Sequence, residues 1–273
     1  MKEILVRSLS GLLYVSLLVI SLYNKHVFIL LFFLFGLICL AELKKLIQYK
    51  SFVPFVVFAI LYGIFGYWQF VMKSIDGLIE ATQILQVITI FVQLFLIKDL
   101  FTEKNIPLFI SKKIIITTFY LSSGFVFLVL IANYHQTFSP LIILGAFTLV
   151  WTNDTFAYLV GKNFGKQKLF PSISPKKTVE GFLGGLFFAS IASYFIATFT
   201  ETLSFNYWLI LSIIISVFGT LGDLIESKFK RQANVKDSGI IMPGHGGLLD
   251  RFDSIIFAAP FIYLFLRIIN YVS

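Results

Sequence analysis

The sequence predicts an all-α polytopic integral membrane protein of about nine transmembrane helices, N-terminus cytoplasmic and C-terminus outside. Three observations predict it. Of 273 residues, 58% are hydrophobic and 18% aromatic, with a mean hydropathy of +0.90, which is more apolar surface than a water-soluble core of this size can hide. Apolar runs long enough to cross a bilayer, about 17–25 residues each, recur along the whole chain. The basic residues fall almost entirely into alternate connections between those runs, as short cytoplasmic loops require.

Taken in order, the candidate spans lie near 8–23, 27–43, 52–72, 80–97, 114–132, 138–160, 179–198, 206–223 and 254–271. The first follows Lys2 and Arg7 and so imitates a secretory signal, but no small-x-small cleavage site precedes Asn24, and it is read as a helix that stays. Cys39, the single cysteine, sits inside the second run and is a small buried hydrophobe rather than half of a disulfide or a metal ligand. The fourth run carries Gln83, Gln86 and Gln93 among Ile, Leu and Val, the mark of a helix that faces other helices as well as lipid. No fixed-period repeat and no low-complexity tract interrupts the pattern, so 1–273 reads as a single membrane-embedded domain.

The N-terminus and the connections after the second, fourth, sixth and eighth spans hold 19 of the 22 Lys and Arg residues. Lys25 and Lys73 fall on the other side, and Arg267 lies in the last span near its far end. The net charge of +8 is therefore first a matter of topology, then of attraction to anionic headgroups or phosphate substrates; it implies no nucleic acid. Polarity is uneven along the chain. Residues 1–150 read as membrane scaffold, whereas 151–260 gather glycines, prolines, acids and bases in two cytoplasmic loops, 161–178 and 224–253, and form the expected catalytic region.

Asp154 and Asp223 stand at or inside the ends of apolar runs, where a carboxylate costs about 2.5–3.5 kcal/mol at a helix centre even on the mildest scale. A lone aspartate wetted at a helix end would need no further explanation. Asp223 and Glu226, however, are three apart on one helical face, and Asp250 and Asp253 repeat that spacing. Four acids beside Lys228, Lys230, Arg231, Lys236 and Arg251 suggest a metal site among phosphate-binding cations, and oxygen ligands alone suit Mg²⁺. Gly239 and Pro243-Gly244-His245-Gly246-Gly247 break any helix and let backbone N–H groups approach an anion closely. A plain flexible connection accounts for the glycines but not for the charge around them. His245, with no Cys or second His beside it, is a phosphate donor, a proton carrier or a loop residue, and not part of a zinc site. Gly161-Lys162-Asn163-Phe164-Gly165-Lys166 has the wrong spacing for a Walker loop and no Ser or Thr after its lysine. In Ser174-Pro175-Lys176-Lys177-Thr178-Val179-Glu180-Gly181, two lysines precede a helix N-terminus and can hold phosphate there. Gly181 and Gly185 form a small-xxx-small step of the kind that packs helices.

The run Ser227-x-Phe229-Lys230-Arg231-x4-Lys236-Asp237-x-Gly239-x3-Pro243-x-His245-Gly246-Gly247-Leu248-x-Asp250-Arg251-Phe252-Asp253 resembles the signature of phosphatidate cytidylyltransferases, with Met242 a conservative departure. Asn153-Asp154-Thr155-x-Ala157-Tyr158-x2-Gly161-Lys162-x-Phe164-Gly165 and the segment from Ser174 to Gly181 look like that family's other blocks. The resemblance is strong over roughly 150–260 and implies an enzyme that joins CTP to phosphatidate, giving CDP-diacylglycerol and pyrophosphate for phospholipid synthesis. It implies Asp223 and Asp250 as metal ligands, with Mg²⁺ and a possible second, monovalent K⁺. Lys230, Arg231, Lys236, Arg251 and His245 would bind phosphates, and Ser227, Asp237, Gly246, Gly247 and Asp253 would shape the pocket. Asp154, Lys176, Lys177 and Glu180 would complete it from the other loop. The partners implied are CTP, phosphatidate, membrane lipid and a second copy of the chain, in a bacterial inner or plasma membrane with the active site facing the cytoplasm.

Three rivals differ in what they require. CDP-alcohol phosphotransferases carry Asp-Gly-x-x-Ala-Arg, whereas the Asp76-Gly77 pair here is followed by Leu78-Ile79-Glu80-Ala81. A CTP-dependent lipid-alcohol kinase would release CDP rather than pyrophosphate. A transporter would show interrupted spans in both halves, and the interruptions here are confined to the second.

Overall fold

The computed structural model describes residues 2–71, 77–102, 105–134, 137–244 and 246–272, with backbone alone for 2–5, 7, 8 and 272. Among these, nine long helices match the nine expected spans one to one. They are α1 (Lys2–Ser21), α2 (Lys25–Leu46), α3 (Val53–Val71), α4 (Leu78–Leu100), α5 (Ile110–Ile131), α6 (Pro140–Phe164), α7 (Val179–Thr200), α8 (Phe205–Gln232) and α9 (Leu249–Val272). Eight are long and apolar enough to cross a membrane by length and composition, and α1 adds a shorter apolar stretch, Leu9–Ser21. The protein is thus a polytopic membrane protein. Exposed Leu183, Phe187, Ile191, Phe195 and Phe199 run down one side of α7, as they can only where the surrounding solvent is apolar.

The helices interlock through aromatic side chains. Phe252 near the start of α9 is fully buried and meets Tyr14 of α1, Phe32 of α2 and Phe147 of α6 edge-on, with ring centroids 5.8, 6.0 and 5.9 Å away. Phe35 and Phe125 close the ring from α2 and α5. Edge-to-face contacts of this kind add to the plain burial of area, and they fix the first turns of α9 against both halves of the chain. In α4, Gln86 is buried and donates to the Pro260 carbonyl of α9 at 2.9 Å, and Gln93 is also buried, whereas Gln83 is exposed. The bond is additional to the ladder of α9, since the carbonyl that Pro260 deprives of an intrahelical donor is that of Ile256, four residues earlier.

Two differences from the expected spans matter for the site. α8 continues beyond 223 to Gln232, and α9 begins at Leu249 rather than near 254, so the loop expected at 224–253 is reduced to 233–248. The charges that marked the ends on hydropathy do not end the helices, because each finds a partner inside the protein. The segment before α7, moreover, is not plain loop. β1 (Lys168–Phe170) and β2 (Ser174–Thr178) pair antiparallel, the one piece of sheet among the described residues and an addition to the all-α expectation.

The four expected basic connections converge at one end of the bundle. Lys113 Nζ donates to the Gln48 carbonyl at 3.0 Å, joining the connections after α4 and α2. Phe101 packs on Phe170 of β1 at 5.3 Å, and Gln232 Nε2 donates to the Ile106 carbonyl at 3.1 Å. Arg231 Nε donates to the Ile173 carbonyl at 3.2 Å. At the other end lies a cavity of about 490 Å³ lined by Lys25, Tyr134 and Arg267, and it holds none of the expected site residues.

Candidate active site

Close backbone approach brings the acids together. A Cβ at Gly222 of α8 would stand 2.7 Å from the Asp253 carbonyl oxygen of α9, a distance that no side chain at 222 permits. Asp223 therefore lies beside Asp253. The glycine step acts in the same way between α7 and α6: Cβ atoms at Gly181 and Gly185 would stand 2.7 Å from the carbonyl oxygens of Ala157 and Asn153. This sets Asp154 of α6 across from the start of α7, and it spends the small-residue step on packing within one chain.

The first of two clusters is built around Lys177, at the end of β2. Its ammonium lies 2.5 Å from Asp223 Oδ2, while Ser227 Oγ, one turn further along α8, donates to Oδ1 at 3.2 Å. Burial alone would push the Lys177 ammonium down, but Asp223, with Asp154 and Asp253 behind it, outweighs that and holds it above the usual lysine range. Asp154 accepts from Asn153 Nδ2 at 3.3 Å, and Asp253 from the Ser254 N–H at 2.7 Å. One lysine thus faces a group of three acids, with Arg251 in electrostatic reach of Asp154.

The second cluster is built around Lys230. It pairs with Glu226 one turn earlier on α8 and with Asp250 Oδ1 of α9 at 2.6 Å. Glu226 is fully buried and Asp250 nearly so. Asp250 Oδ2 accepts from the Ser238 N–H at 2.9 Å, Ser238 Oγ at 2.9 Å and the Gly247 N–H at 2.8 Å.

The glycine-rich loop does approach anions with its N–H groups, but those anions belong to the protein. Besides Asp250, the buried carboxylate of Glu42 on α2 accepts from the N–H groups of Leu248 and Leu249 at 3.1 and 2.7 Å, and from Ser238 Oγ at 3.2 Å. A Cβ at Gly247 would stand 2.6 Å from Glu42 Oε2. The N–H groups of Ser238, Gly247, Leu248 and Leu249 are therefore spent internally. Gly246 takes the left-handed backbone, φ 88°, and closes the turn on Met242 through a 3.0 Å bond.

The remaining expected residues divide. Lys236 and Asp237 are exposed on the 233–248 loop, Lys176 is exposed on β2, and Arg251 is exposed within electrostatic reach of Asp154. Arg231 braces the loop and the hairpin through the Val235 and Ile173 carbonyls. Glu180 accepts from the N–H groups of Lys166 and Gln167 at 3.0 and 3.1 Å and so fastens the chain leading into β1. Lys228, grouped with the phosphate-binding cations on sequence, turns the other way and donates to the Asp99 and Thr102 carbonyls at 2.6 and 2.7 Å, capping α4. The expectation for His245 lies outside the described residues. Glu42 and Ser238 were missed. Glu42 was detectable by the test applied to Asp154, a carboxylate within an apolar run, since it follows Leu40 and Ala41 near the end of the second span.

Among the described residues, no three His, Cys, Asp or Glu side chains gather closely enough to form a metal cage. Mg²⁺ needs none, since it takes one or two carboxylates and completes its shell with water and substrate phosphates. Asp223 and Asp250 fit that role as oxygen donors now neutralised by lysines, and Oδ1 is the Asp250 oxygen at which a cation would compete with Lys230.

Among the described residues, nine interlocked helices with lysines and carboxylates interleaved at one end define a polytopic membrane protein with a polar, charged cluster at that end. The chain belongs to the cytidylyltransferase family, whose sequence model matches residues 5–269. It is 36% identical over 272 residues to a phosphatidate cytidylyltransferase of Bacillus subtilis, covering 98% of each chain. Over 126 residues it is 54% identical to the protein of that name from Staphylococcus aureus strain COL, spanning 45% of this chain and 48% of that one.

Proposed function

We propose that the protein is a phosphatidate cytidylyltransferase, converting CTP and phosphatidate to CDP-diacylglycerol and pyrophosphate. The observation that carries this reading is the placement of Lys177 and Lys230 among Asp223, Asp250, Asp154 and Asp253 at one end of a membrane bundle, in a chain alignable from end to end with a relative of that name. A phosphate oxygen of phosphatidate attacks the α-phosphorus of CTP, a new P–O bond forms, and the bond to the β-phosphate bridging oxygen breaks, releasing pyrophosphate. A phosphomonoester with a second pKa near 6 is largely dianionic at neutral pH, so no side chain has to remove a proton.

The protein's task is to bring polyanions together. Lys177 and Lys230 are poised to exchange a carboxylate for a phosphate, and the exposed Lys176, Lys236 and Arg251 extend the positive surface. Mg²⁺, held by Asp223 and Asp250 with K⁺ as a second ion, would supply further neutralisation of the triphosphate and the leaving pyrophosphate. Fixed positions for these groups lower the barrier because they need not reorganise as charge moves.

The end carrying the site faces the cytoplasm of a bacterial plasma membrane, where CTP is found, and phosphatidate arrives laterally with its acyl chains still in lipid. The positive-inside distribution of Lys and Arg supports that orientation. A homodimer belongs to this reading through the family resemblance alone, since Gly181 and Gly185 are spent on α6 within the chain.

The test uses α-labelled CTP, phosphatidate, Mg²⁺ and the detergent-solubilised chain. Labelled lipid with equimolar pyrophosphate is expected; CDP without labelled lipid would establish a CTP-dependent kinase instead.

A further inference from the structure

We infer that Glu42, in the half of the chain that reads as scaffold, is a positioning residue for the reaction: it sets the orientation of Asp250 by holding the turn that leads into α9. This rests on the proposed cytidylyl transfer at Asp223 and Asp250.

Glu42 is 2% exposed, and among the described residues no cation pairs with it. A buried carboxylate in that state persists only where donors replace its water. Oε1 takes the Leu248 N–H and Oε2 the Leu249 N–H, while the Ser238 hydroxyl, whose one proton is shared with Asp250, lies within reach of Oε2. The first two are unpaired donors at the start of a helix, and the helix dipole adds to their pull on a negative charge.

What takes this beyond an ordinary cap is the sharing of donors with Asp250. Ser238 Oγ stands 3.2 Å from Glu42 Oε2 and 2.9 Å from Asp250 Oδ2, and the N–H groups of Ser238 and Gly247 bind that same Asp250 oxygen. The two carboxylates clamp one short stretch of backbone from opposite sides. With Oδ2 held by two backbone N–H groups and the shared Ser238 hydroxyl, Oδ1 is turned toward Lys230 and is the oxygen left for a metal or for exchange with substrate. Gly239 and Gly247 belong to the same construction, since a Cβ on either would run into the Glu42 carboxylate, 2.7 Å from Cδ for Gly239 and 2.6 Å from Oε2 for Gly247. Gly239 and Gly247 therefore make room for Glu42 and Ser238 before they make room for any ligand. Sequence distance conceals the link, because Glu42 lies far outside the 150–260 stretch that carries the family resemblance.

The experiment compares wild type, Glu42→Gln and Ser238→Ala as full-length protein in detergent, by amide hydrogen exchange and by initial rates over a range of CTP and phosphatidate. Gln keeps one acceptor and sets an amide NH₂ against the other backbone donor. Exchange is expected to rise in peptides covering 238–250 and to stay unchanged in the 166–178 hairpin. kcat is expected to fall about 10- to 100-fold, the usual effect of losing a group that orients a ligand, with KM for phosphatidate within about threefold. Ser238→Ala leaves both backbone bonds to Glu42 in place and is expected to lower kcat less, by about 3- to 10-fold. It decides the matter if Glu42→Gln does not fold. Raised exchange with undiminished kcat would make Glu42 a structural cap and overturn the inference, as would unchanged exchange. If wild type makes no labelled lipid while the exchange pattern appears as expected, the functional reading has failed and the Glu42 clamp has not.

Discussion

The hairpin before α7 and the loop between α8 and α9 are both polar, lysine-bearing segments beside the site carboxylates, and they work in opposite ways. In the hairpin the backbone pairs with itself, one lysine is sent inward to Asp223, and its neighbour Lys176 is left exposed. In the loop at 233–248 the backbone donors are turned inward onto Glu42 and Asp250. Lysines in the hairpin and glycines in the loop each suggested phosphate binding, but the hairpin presents a cation while the loop holds a carboxylate still. The difference teaches that a glycine-rich run beside acids has to be tested against the protein's own anions before a ligand's.

The largest effect is expected where holding and chemistry coincide. Asp250→Asn removes the charge paired with Lys230 and places an NH₂ against either the Lys230 ammonium or the three donors that now meet Oδ2. Turnover is expected to fall by at least about 100-fold, the upper end for groups supporting a metal or a charge site, and amide exchange is expected to rise in the loop. Labelled-CTP assays over a range of Mg²⁺, run beside exchange, check both; activity retained at every Mg²⁺ concentration would remove Asp250 from the metal site.

Lys177→Gln sharpens the contrast, because Lys177 presents charge and holds nothing of the loop. Turnover is expected to drop about 10- to 100-fold, as for loss of one charged group aimed at developing charge, with exchange in 238–250 unchanged. Should the loop loosen as well, the two regions are one unit and the distinction drawn between them fails.

Lys228 lies two positions from Lys230 on α8 and serves a different end. Its ammonium binds carbonyls at the end of α4 and touches none of the site carboxylates. Lys228→Met is expected to cost about 1–2 kcal/mol, a buried charged donor withdrawn from its acceptors, visible as a lower melting temperature at full activity per folded molecule. Loss of activity at unchanged stability would return Lys228 to the phosphate-binding set.

These cases show which parts of the molecule were legible in the sequence. The spans were, because apolar length and the alternation of basic loops are properties of the chain itself. The meeting of Asp223 and Glu226 with Asp250 and Asp253 was, because repeated i,i+3 spacing places acids on one helical face. The ends of α8 and α9 were not, since hydropathy takes a charge as leaving the membrane and cannot see that Glu226, Lys228 and Lys230 each have a partner within. The hairpin was not, since Lys168–Phe170 and Ser174–Thr178 are too short and too polar to show alternation. Glu42 was detectable as an acid in an apolar run, but its role depends on a contact with Leu248 and Leu249 some two hundred positions away.

The smallest effect is expected at Glu180, the hairpin's counterpart of Glu42. Each carboxylate accepts two backbone N–H groups and fastens one polar segment, Glu180 at Lys166 and Gln167 and Glu42 at Leu248 and Leu249. The geometry is alike and the surroundings are not. The bonds of Glu180 are exposed, so water can replace the carboxylate at the two N–H groups, whereas nothing in the buried site of Glu42 can do so. Glu180→Gln is therefore expected to change kcat/KM for CTP by less than about fivefold, the modest consequence of an exposed charged contact, and to raise exchange at 166–168 alone. A loss as large as that from Glu42→Gln would mean that the hairpin needs its tether to keep Lys177 on Asp223, and that burial does not separate the two acids.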